Sequence, residues 1–373
     1  MSDFILIDRF RPQDIEGLFE LTDEIKDKPD LFATKCRGKI LATLFYEPST
    51  RTRLSFESAM LRLGGSVLGF ADAKVSSVAK GETIADTARM VSNYADLIVV
   101  RHPLAGAAQV MADYSDVPVI NGGDDSNQHP TQTLLDLYTI SRCKGRIEGL
   151  NIGICGDLRY GRAPHSLALG VAMFGGRIIN IAPQGLEMPD HVVERLRILY
   201  KAEVETVRDL KEVISDLDVL YVNRLQKERL PEEVDYEAIK DSYVITPDSI
   251  RNSKHDMIIM HPLPRVNELS YELDGDSRAM YFEQSRNGLF VRMALILALT
   301  GGTYLKLNPL ERERMESEVK CGNPRCVTDH EPYLRPAYEV LSSKDKGRFC
   351  VYCGVKAEIT DSITPLLKGR ISP

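Results

Sequence analysis

Short apolar runs alternate with helical stripes along most of the chain, in two successive series. Ahead of the first, Ile15, Leu18, Phe19 and Ile25 within residues 13–26 predict a helix with one buried face. The run Ile40–Phe45 predicts a buried strand. A turn at Glu47-Pro48 follows, then a helical stripe over 54–63 that carries Phe56, Met60 and Leu63. Strands at 66–70, 97–100 and 117–120, with helices over 83–94 and 106–114, complete the first series. The second runs strand 151–155, helix 164–174, strand 177–181, helix 191–200, and strands 219–222 and 257–260. One helix over 131–142, with Leu134, Leu137 and Tyr138 on a face, separates the series, and an apolar helix over 288–299 follows them. Strands alternating with helices predict an α/β protein of two lobes, each a parallel sheet flanked by helices. The expected domains are 1–130 with 286–307, then 131–285, then a small segment 308–373. That last segment is too short for a large core of its own and needs a staple.

Composition narrows the function classes. With 373 residues the chain can build two or three domains, and its net charge of −7 argues against a general nucleic-acid binder. No apolar stretch approaches the roughly 20 residues that span a bilayer, and Met1-Ser2-Asp3-Phe4 is no secretory leader, so a cytoplasmic protein is expected. Of seven cysteines, Cys36, Cys143 and Cys155 are scattered, whereas Cys321, Cys326, Cys350 and Cys353 cluster. That grouping fits a reducing compartment and one metal site better than a disulfide framework.

Against this acidic background, cations gather where strands end. Ser49-Thr50-Arg51-Thr52-Arg53 opens a helix just after a strand, and helix starts suit anions because their N–H groups are unpaired and their dipole end is positive. Arg101 follows the strand at 97–100, Arg162 the strand at 151–155, and Arg224 the strand at 219–222. Each could be a solvated surface residue. Together they predict a ligand with several negative groups, bound beyond the carboxyl ends of the strands. His129 and Gln132 lie at the start of the separating helix, and the prolines of His261-Pro262-Leu263-Pro264-Arg265 leave carbonyls available to an amide-like ligand. The long polar loop around Lys80 suits a functional role. The turn Gly153–Arg162 lacks G-x-G-x-x-G spacing, and no G-x-x-x-x-G-K-[ST] run occurs, so dinucleotide and ATPase readings are disfavoured.

Motifs in register carry a resemblance: Ser49 to Arg53, Lys80-Gly81-Glu82-Thr83, Arg101-His102-Pro103, His129-Pro130-Thr131-Gln132, Asp157 to Arg162, Arg224 to Arg229, and His261 to Arg265. Over roughly residues 1–305 the chain resembles the carbamoyltransferase family, in its aspartate branch. That resemblance implies transfer of the carbamoyl group of carbamoyl phosphate to L-aspartate, giving N-carbamoyl-L-aspartate and phosphate for pyrimidine synthesis. It implies a carbamoyl phosphate domain at 1–130 and an aspartate domain at 131–285. Phosphate contacts would fall on Ser49, Thr50, Arg51, Thr52 and Arg101. Carbonyl contacts would fall on Thr52, Arg101 and His129, and Gln132 with the backbone of Leu263 and Pro264 would hold the carbamoyl NH2. The catalytic set is then Arg51, Thr52, Arg101 and His129. Aspartate would meet Lys80, Arg162, Arg224 and Gln226, with Lys80 and a serine, either Ser76 or Ser77, lent by a neighbouring subunit of a homotrimer or dimer of trimers. Glu47 would hold one arginine in place. Carbamoyl phosphate carries its own leaving group, so no catalytic metal or organic cofactor is expected. Ornithine-specific members typically carry His-Cys-Leu-Pro where this chain has His261-Pro262-Leu263-Pro264. Arg224 and Arg265 also suit a dicarboxylate, so aspartate is preferred to ornithine.

Cys321-x4-Cys326 and Cys350-x2-Cys353 form two clips of the kind that closes a tetrahedral zinc site. This segment resembles the zinc domain of the aspartate carbamoyltransferase regulatory chain, here fused behind a catalytic-type chain. The resemblance implies one structural zinc per chain. The nucleotide-binding domain of that regulatory chain has no counterpart, so nucleotide control is not expected. Two other classes remain: a zinc-ribbon nucleic-acid binder, which leaves the strand-end arginines unexplained, and a non-catalytic assembly protein, which leaves the polar motif residues unexplained.

Overall fold

The run Ile40–Phe45 forms β1, a strand buried along almost its whole length, as expected for a parallel strand covered on both faces. The computed structural model describes residues 2–72, 81–225, 243–341, 347–357 and 364–365. The chain divides into two compact units, residues 1–131 with 288–373, and residues 132–287.

In the first unit β1 is joined by β2 (Ser66–Phe70), β3 (Leu97–His102) and β4 (Val119–Asp124). All neighbours are parallel, in the order β2-β1-β3-β4. The helices are α1 (Pro12–Asp27), α2 (Thr50–Arg62), α3 (Ile84–Ser92) and α4 (Ala107–Tyr114). Helix α5 (Pro130–Lys144) carries the chain into the second unit. There β5 (Asn151–Gly156), α6 (Arg162–Met173), β6 (Arg177–Ile181), α7 (Asp190–Tyr200), β7 (Val204–Val207), β8 (Val219–Asn223) and β9 (Ile258–Met260) follow. Their parallel sheet has the order β7-β6-β5-β8-β9. Helix α8 (Tyr281–Thr300) leads back. The last segment folds as an antiparallel sheet, β13-β12-β11-β10-β14, from β10 (Arg314–Glu316), β11 (Ala337–Val340), β12 (Arg348–Cys350), β13 (Lys356–Ala357) and β14 (Thr364–Pro365).

Elements depart from the apolar pattern where polar side chains are buried with partners. Strand β4 starts two residues later and ends four residues later than its apolar run suggests, and its Asn121-Gly122-Gly123-Asp124 end is fully buried. The amino-terminal segment borders it: Phe4 N–H donates to Val119 O at 2.8 Å, and Asn121 N–H to Phe4 O at 3.0 Å. Helix α8 starts at Tyr281, ahead of its apolar stretch. Gln284 and Asn287 in that first part are buried and donate to Asp136 (2.6 Å) and Thr139 (3.1 Å). Edge strand β7 is largely exposed, so no apolar alternation marks it.

The four-cysteine segment shares a core with the first unit. Tyr338, Val351 and Tyr352 pack in one buried cluster with Ile5, Ala105 and Val110. Charged groups tie the connection: Arg312 pairs with Asp8 at 2.9 Å and with Glu339 at 3.2 Å, and Arg314 with Asp113 at 3.2 Å. The charged stretch that opens the last segment is thus pinned by ion pairs.

Near this seam, burial pushes the Asp3 carboxyl up to about 6, although it accepts the Val119 N–H. A carboxyl with a raised folded-state pKa holds its proton longer when folded, so its ionisation opposes folding. That cost is absent below about pH 4, grows to about pH 6 and is constant above. Asp3→Asn keeps an acceptor for Val119. We expect it to match the parent protein at pH 4 and to exceed it at pH 7 by up to about 3 kcal/mol, read by denaturant unfolding at both values.

Candidate active site and metal centre

Each parallel sheet reverses its strand order once. In the first unit β2 lies on one side of β1 and β3 on the other, so the chain leaves β1 and β3 at a topological switch point. Residues Phe45 and Arg101 are register partners there. The first turn of α2, directly after β1, contains no acidic residue, so its open N–H groups and positive end are not neutralised locally. Ser49 is the N-cap residue, yet its hydroxyl makes no cap bond and instead accepts from Arg101 Nη1 at 3.1 Å. Glu47 accepts from Arg101 Nε at 2.7 Å, as anticipated for that carboxylate. The Arg101 guanidinium is therefore fixed beside the start of α2. Arg53 pairs with Glu57 one turn on, at 3.3 Å. Arg51 is exposed and, among the described residues, faces no carboxylate.

His129 is buried at the mouth of α5. Its Nε2 lies 3.4 Å from Thr52 Oγ1 and its Nδ1 3.5 Å from Thr131 Oγ1. Thr52, in the first turn of α2, is thus brought to the imidazole, and Ser49, Thr50, Arg51, Thr52 and Arg101 gather with His129 at the carboxyl ends of the strands. The arrangement concentrates donors and positive charge where a phosphate and a polarised carbonyl would bind. Next to it, burial lowers the His102 imidazole to about pKa 4; its neutral ring accepts the Leu104 N–H at 3.1 Å.

The second unit repeats the geometry. Strands β5 and β8 flank its switch point, with Gly156 and Asn223 in register. A Cβ on Gly156 would stand 2.0 Å from Asn223 O, so only glycine permits this approach. Asp157 accepts the N–H groups of Arg159 (3.1 Å) and Tyr160 (3.0 Å), and Asn223 Nδ2 donates to Asp157 O at 2.6 Å. This knitting places Arg162 as the first residue of α6 and Arg224 just past β8, at the ends of adjacent strands. Gln132 donates through Nε2 to Asp136 Oδ1 at 2.9 Å, which leaves its carbonyl oxygen to accept. Asp136, fully buried, also receives Tyr221 OH at 3.0 Å and Gln284 Nε2.

Leu263 has φ +54, in the left-handed region that a branched side chain rarely adopts, and its bond to Pro264 is cis. The His261 ring holds this turn: Nδ1 accepts the Leu263 N–H at 2.8 Å while Nε2 donates to buried Glu268 at 2.7 Å. Burial opposes ionisation of Glu268, but the bonds from His261 and the backbone outweigh it and hold its pKa below the ordinary range. Arg265 corrects an expectation. Rather than offering its fork to a dicarboxylate ligand, it is held by both oxygens of Asp274 at 2.5 and 2.6 Å and lies over the Tyr271 ring at 4.0 Å. Its hydrogen bonds to Asp274 raise its pKa further, and its guanidinium is committed to the protein itself.

Lys80, Ser76, Ser77 and Gln226 lie outside the described residues. Supporting groups that no motif pointed to are Asp136, Tyr221, Gln284 and Glu268. Asp136 and Gln284 lie in helices that carry other polar residues and Glu268 lies in a loop, so no local pattern marks them.

At the carboxyl end Cys321, Cys326, Cys350 and Cys353 are all buried, with their sulfurs within 4.8 Å of one another. Cys321 and Cys353 are 3.4 Å apart, Cys326 and Cys350 3.8 Å. These separations exceed a disulfide bond and match the edge of a tetrahedron with metal–sulfur distances of about 2.3 Å, roughly 3.8 Å. Four soft sulfur ligands and no open position fit a closed structural metal site. The Cys350-x2-Cys353 clip turns through Gly354 at φ +72, whose N–H donates to Cys350 O at 2.9 Å.

Comparisons with known proteins agree with this geometry. Residues 2–142 match the family model for the carbamoyl-P binding domain of aspartate/ornithine carbamoyltransferase, and residues 148–299 its Asp/Orn binding domain. Residues 313–363 match the metal binding domain of the aspartate carbamoyltransferase regulatory chain. The aspartate carbamoyltransferase catalytic subunit of Clostridium acetobutylicum is 51% identical over 293 residues, which are 78% of this chain and 95% of that one. The catalytic subunit of M. jannaschii aspartate transcarbamoylase superposes with a TM-score of 0.74 at 46% identity, covering 81% of this chain and 98% of that one. The Trypanosoma cruzi aspartate transcarbamoylase in complex with carbamoyl phosphate and aspartate gives 0.74 at 37% identity, over 79% and 94%. The chain belongs to the aspartate/ornithine carbamoyltransferase family, and it carries behind the two family domains a metal-binding domain of the aspartate carbamoyltransferase regulatory-chain type.

Proposed function

We propose that the protein transfers the carbamoyl group of carbamoyl phosphate to the amine of L-aspartate, releasing phosphate, as in de novo pyrimidine synthesis. The observation that carries this reading is the pair of cationic switch points, Arg51 with Arg101 in one unit and Arg162 with Arg224 in the other. Two anionic substrates need two such sites. Ser49, Thr50, Arg51, Thr52 and Arg101 bind the phosphate. Thr52, Arg101 and His129 donate to the carbamoyl oxygen, where negative charge builds as the amine attacks, so their effect is larger in the transition state than in the ground state. Gln132 and the carbonyls of Leu263 and Pro264 accept from the carbamoyl NH2, and Arg162, Arg224 and Gln226 hold the aspartate carboxylates. Collapse of the tetrahedral intermediate breaks the bond to the phosphate oxygen, which takes up the proton the amine loses, and Arg51 offsets the charge of the departing phosphate. Fixing both anions makes the encounter effectively unimolecular.

We further assign zinc as the metal, because four thiolates in a closed tetrahedron favour it. A cytoplasmic homotrimer or dimer of trimers, with Lys80 crossing to a neighbour's site, completes the proposal. Among the described residues no helix is long and apolar enough to cross a membrane.

The Trypanosoma cruzi relative is also known in complex with N-(phosphonacetyl)-L-aspartic acid, a molecule joining both substrate halves. Titration calorimetry with this compound should give one site per chain, weakened at least about 100-fold by either Arg51→Ala or Arg224→Ala. Carbamoyl phosphate should lose affinity only in Arg51→Ala. An Arg224→Ala protein that binds the compound as tightly as the parent would contradict the aspartate assignment.

A further inference from the structure

We propose that the metal-binding module acts as a positioning element for His129, through Arg325 and Asp125; this rests on the reading of His129 as a donor to the carbamoyl oxygen. The turn between β4 and α5, residues 125–128, immediately precedes that histidine, and the module grips it from two sides.

On one side Asp125 adopts φ +45, and its side chain is 2% exposed. Its Oδ1 lies 2.9 Å from Arg325 Nε. The same arginine donates through Nη2 to Pro103 O at 2.9 Å, and its carbonyl accepts the Ala105 N–H at 3.0 Å. It therefore links the turn after β3 to the turn before His129. Beside it Asn127 Nδ2 donates to Tyr352 O at 3.3 Å, between the two cysteines of the second clip. The seam leaves no slack: a Cβ on Gly106 would stand 2.4 Å from that of Tyr352.

On the other side Gln128, adjacent to His129, donates to Asp8 Oδ1 at 3.2 Å and accepts the Ile7 N–H at 3.0 Å. Arg312, at the entrance to the module, holds the other oxygen of Asp8. Residues 125, 127 and 128 thus each answer to the carboxyl-terminal segment, directly or through one residue.

The decisive member is Asp125. Removing one partner of a buried ion pair leaves the other without that compensation, so the loss of Arg325 weakens the hold on this turn. His129 sits at the end of the same turn, 3.4 Å from Thr52. Opening the turn moves the imidazole while leaving Ser49 to Arg53 on β1 and α2.

Double-mutant kinetics on the full-length, metal-loaded protein test this. Arg325→Ala should lower kcat about 5- to 10-fold with KM for carbamoyl phosphate within about 2-fold of the parent. Glycine suits the left-handed φ of Asp125 but cuts the same link from the other side, so Asp125→Gly should lower kcat to a similar extent, and Arg325→Ala combined with it should be no worse than either alone. The His129 ring resonances, assigned with His129→Ala, should shift alike in Arg325→Ala, Asp125→Gly and the double variant. Arg325→Gln serves if the alanine protein is insoluble. An unchanged kcat in Arg325→Ala, or a double variant in which the two losses multiply, overturns the inference. His129→Ala is the separate control: if it turns over like the parent, the site reading fails and not merely its link to the module.

Discussion

Replacing Arg51 by alanine should lower kcat/KM for carbamoyl phosphate about 1,000-fold or more while leaving the fold intact. Loss of one preorganised donor to a developing anion commonly costs about 100- to 1,000-fold, roughly 3–4 kcal/mol, and Arg51 supplies a full charge as well as donors. The fold should not suffer, because the side chain is exposed and among the described residues pairs with no carboxylate. Arg101 would be a poorer test: its guanidinium is bonded to Glu47 and Ser49, so its removal would also disturb the helix start. Steady-state rates with varied carbamoyl phosphate, alongside a melting curve, check the expectation. A variant that melts like the parent and retains more than a tenth of its kcat/KM would remove Arg51 from the phosphate site.

The second large effect concerns the metal. Cys326→Ser, or exhaustive chelation, should unfold the carboxyl-terminal module and lower the melting temperature by about 10 °C or more. Structural zinc supplies on the order of 10 kcal/mol to small domains that cannot bury enough apolar surface alone. Here Cys321, Cys326, Cys350 and Cys353 belong to the same buried cluster as Ile5, Ala105 and Val110, so the loss reaches the first unit. At about 2–4 °C per kcal/mol for a unit of this size, a net loss of only a few kcal/mol gives that shift. Proteolysis should then open the chain near residues 308–313 first. Metal analysis with thermal unfolding decides the matter. A metal-free protein with an unchanged melting temperature would show that the four sulfurs staple nothing.

How much of this was legible in the sequence depended on where polarity was buried. The apolar run Ile40–Phe45 announces its strand to the residue, because parallel strands covered on both faces tolerate little else. The end of β4 does not, since Asn121 to Asp124 are buried polar residues and glycines whose partners, such as Ile5 and Gly106, come from distant segments. Helix α8 is longer than its apolar stretch for the same reason. Charge placement behaved similarly. That Arg51, Arg101, Arg162 and Arg224 follow strands was visible. That Arg265 would be consumed by Asp274 was not, because a carboxylate nine positions away carries no periodic signal. The cysteine spacing predicted one cluster, and the sulfurs do converge. The seat of that cluster against residues 103–106 and 125–127 rests on contacts across about two hundred residues of chain, which no local pattern encodes.

A single assay of the purified protein tests the two cationic switch points most directly: carbamoyl transfer from carbamoyl phosphate, with L-aspartate and L-ornithine offered separately and the carbamoylated amino acid and phosphate both quantified. The two cationic switch points predict turnover with aspartate, one phosphate released per N-carbamoyl-L-aspartate formed, and a rate with ornithine at least about 1,000-fold lower, because its cationic side chain would face Arg162 and Arg224. Transfer to ornithine at a comparable rate, or phosphate release without a carbamoylated product, would contradict that prediction.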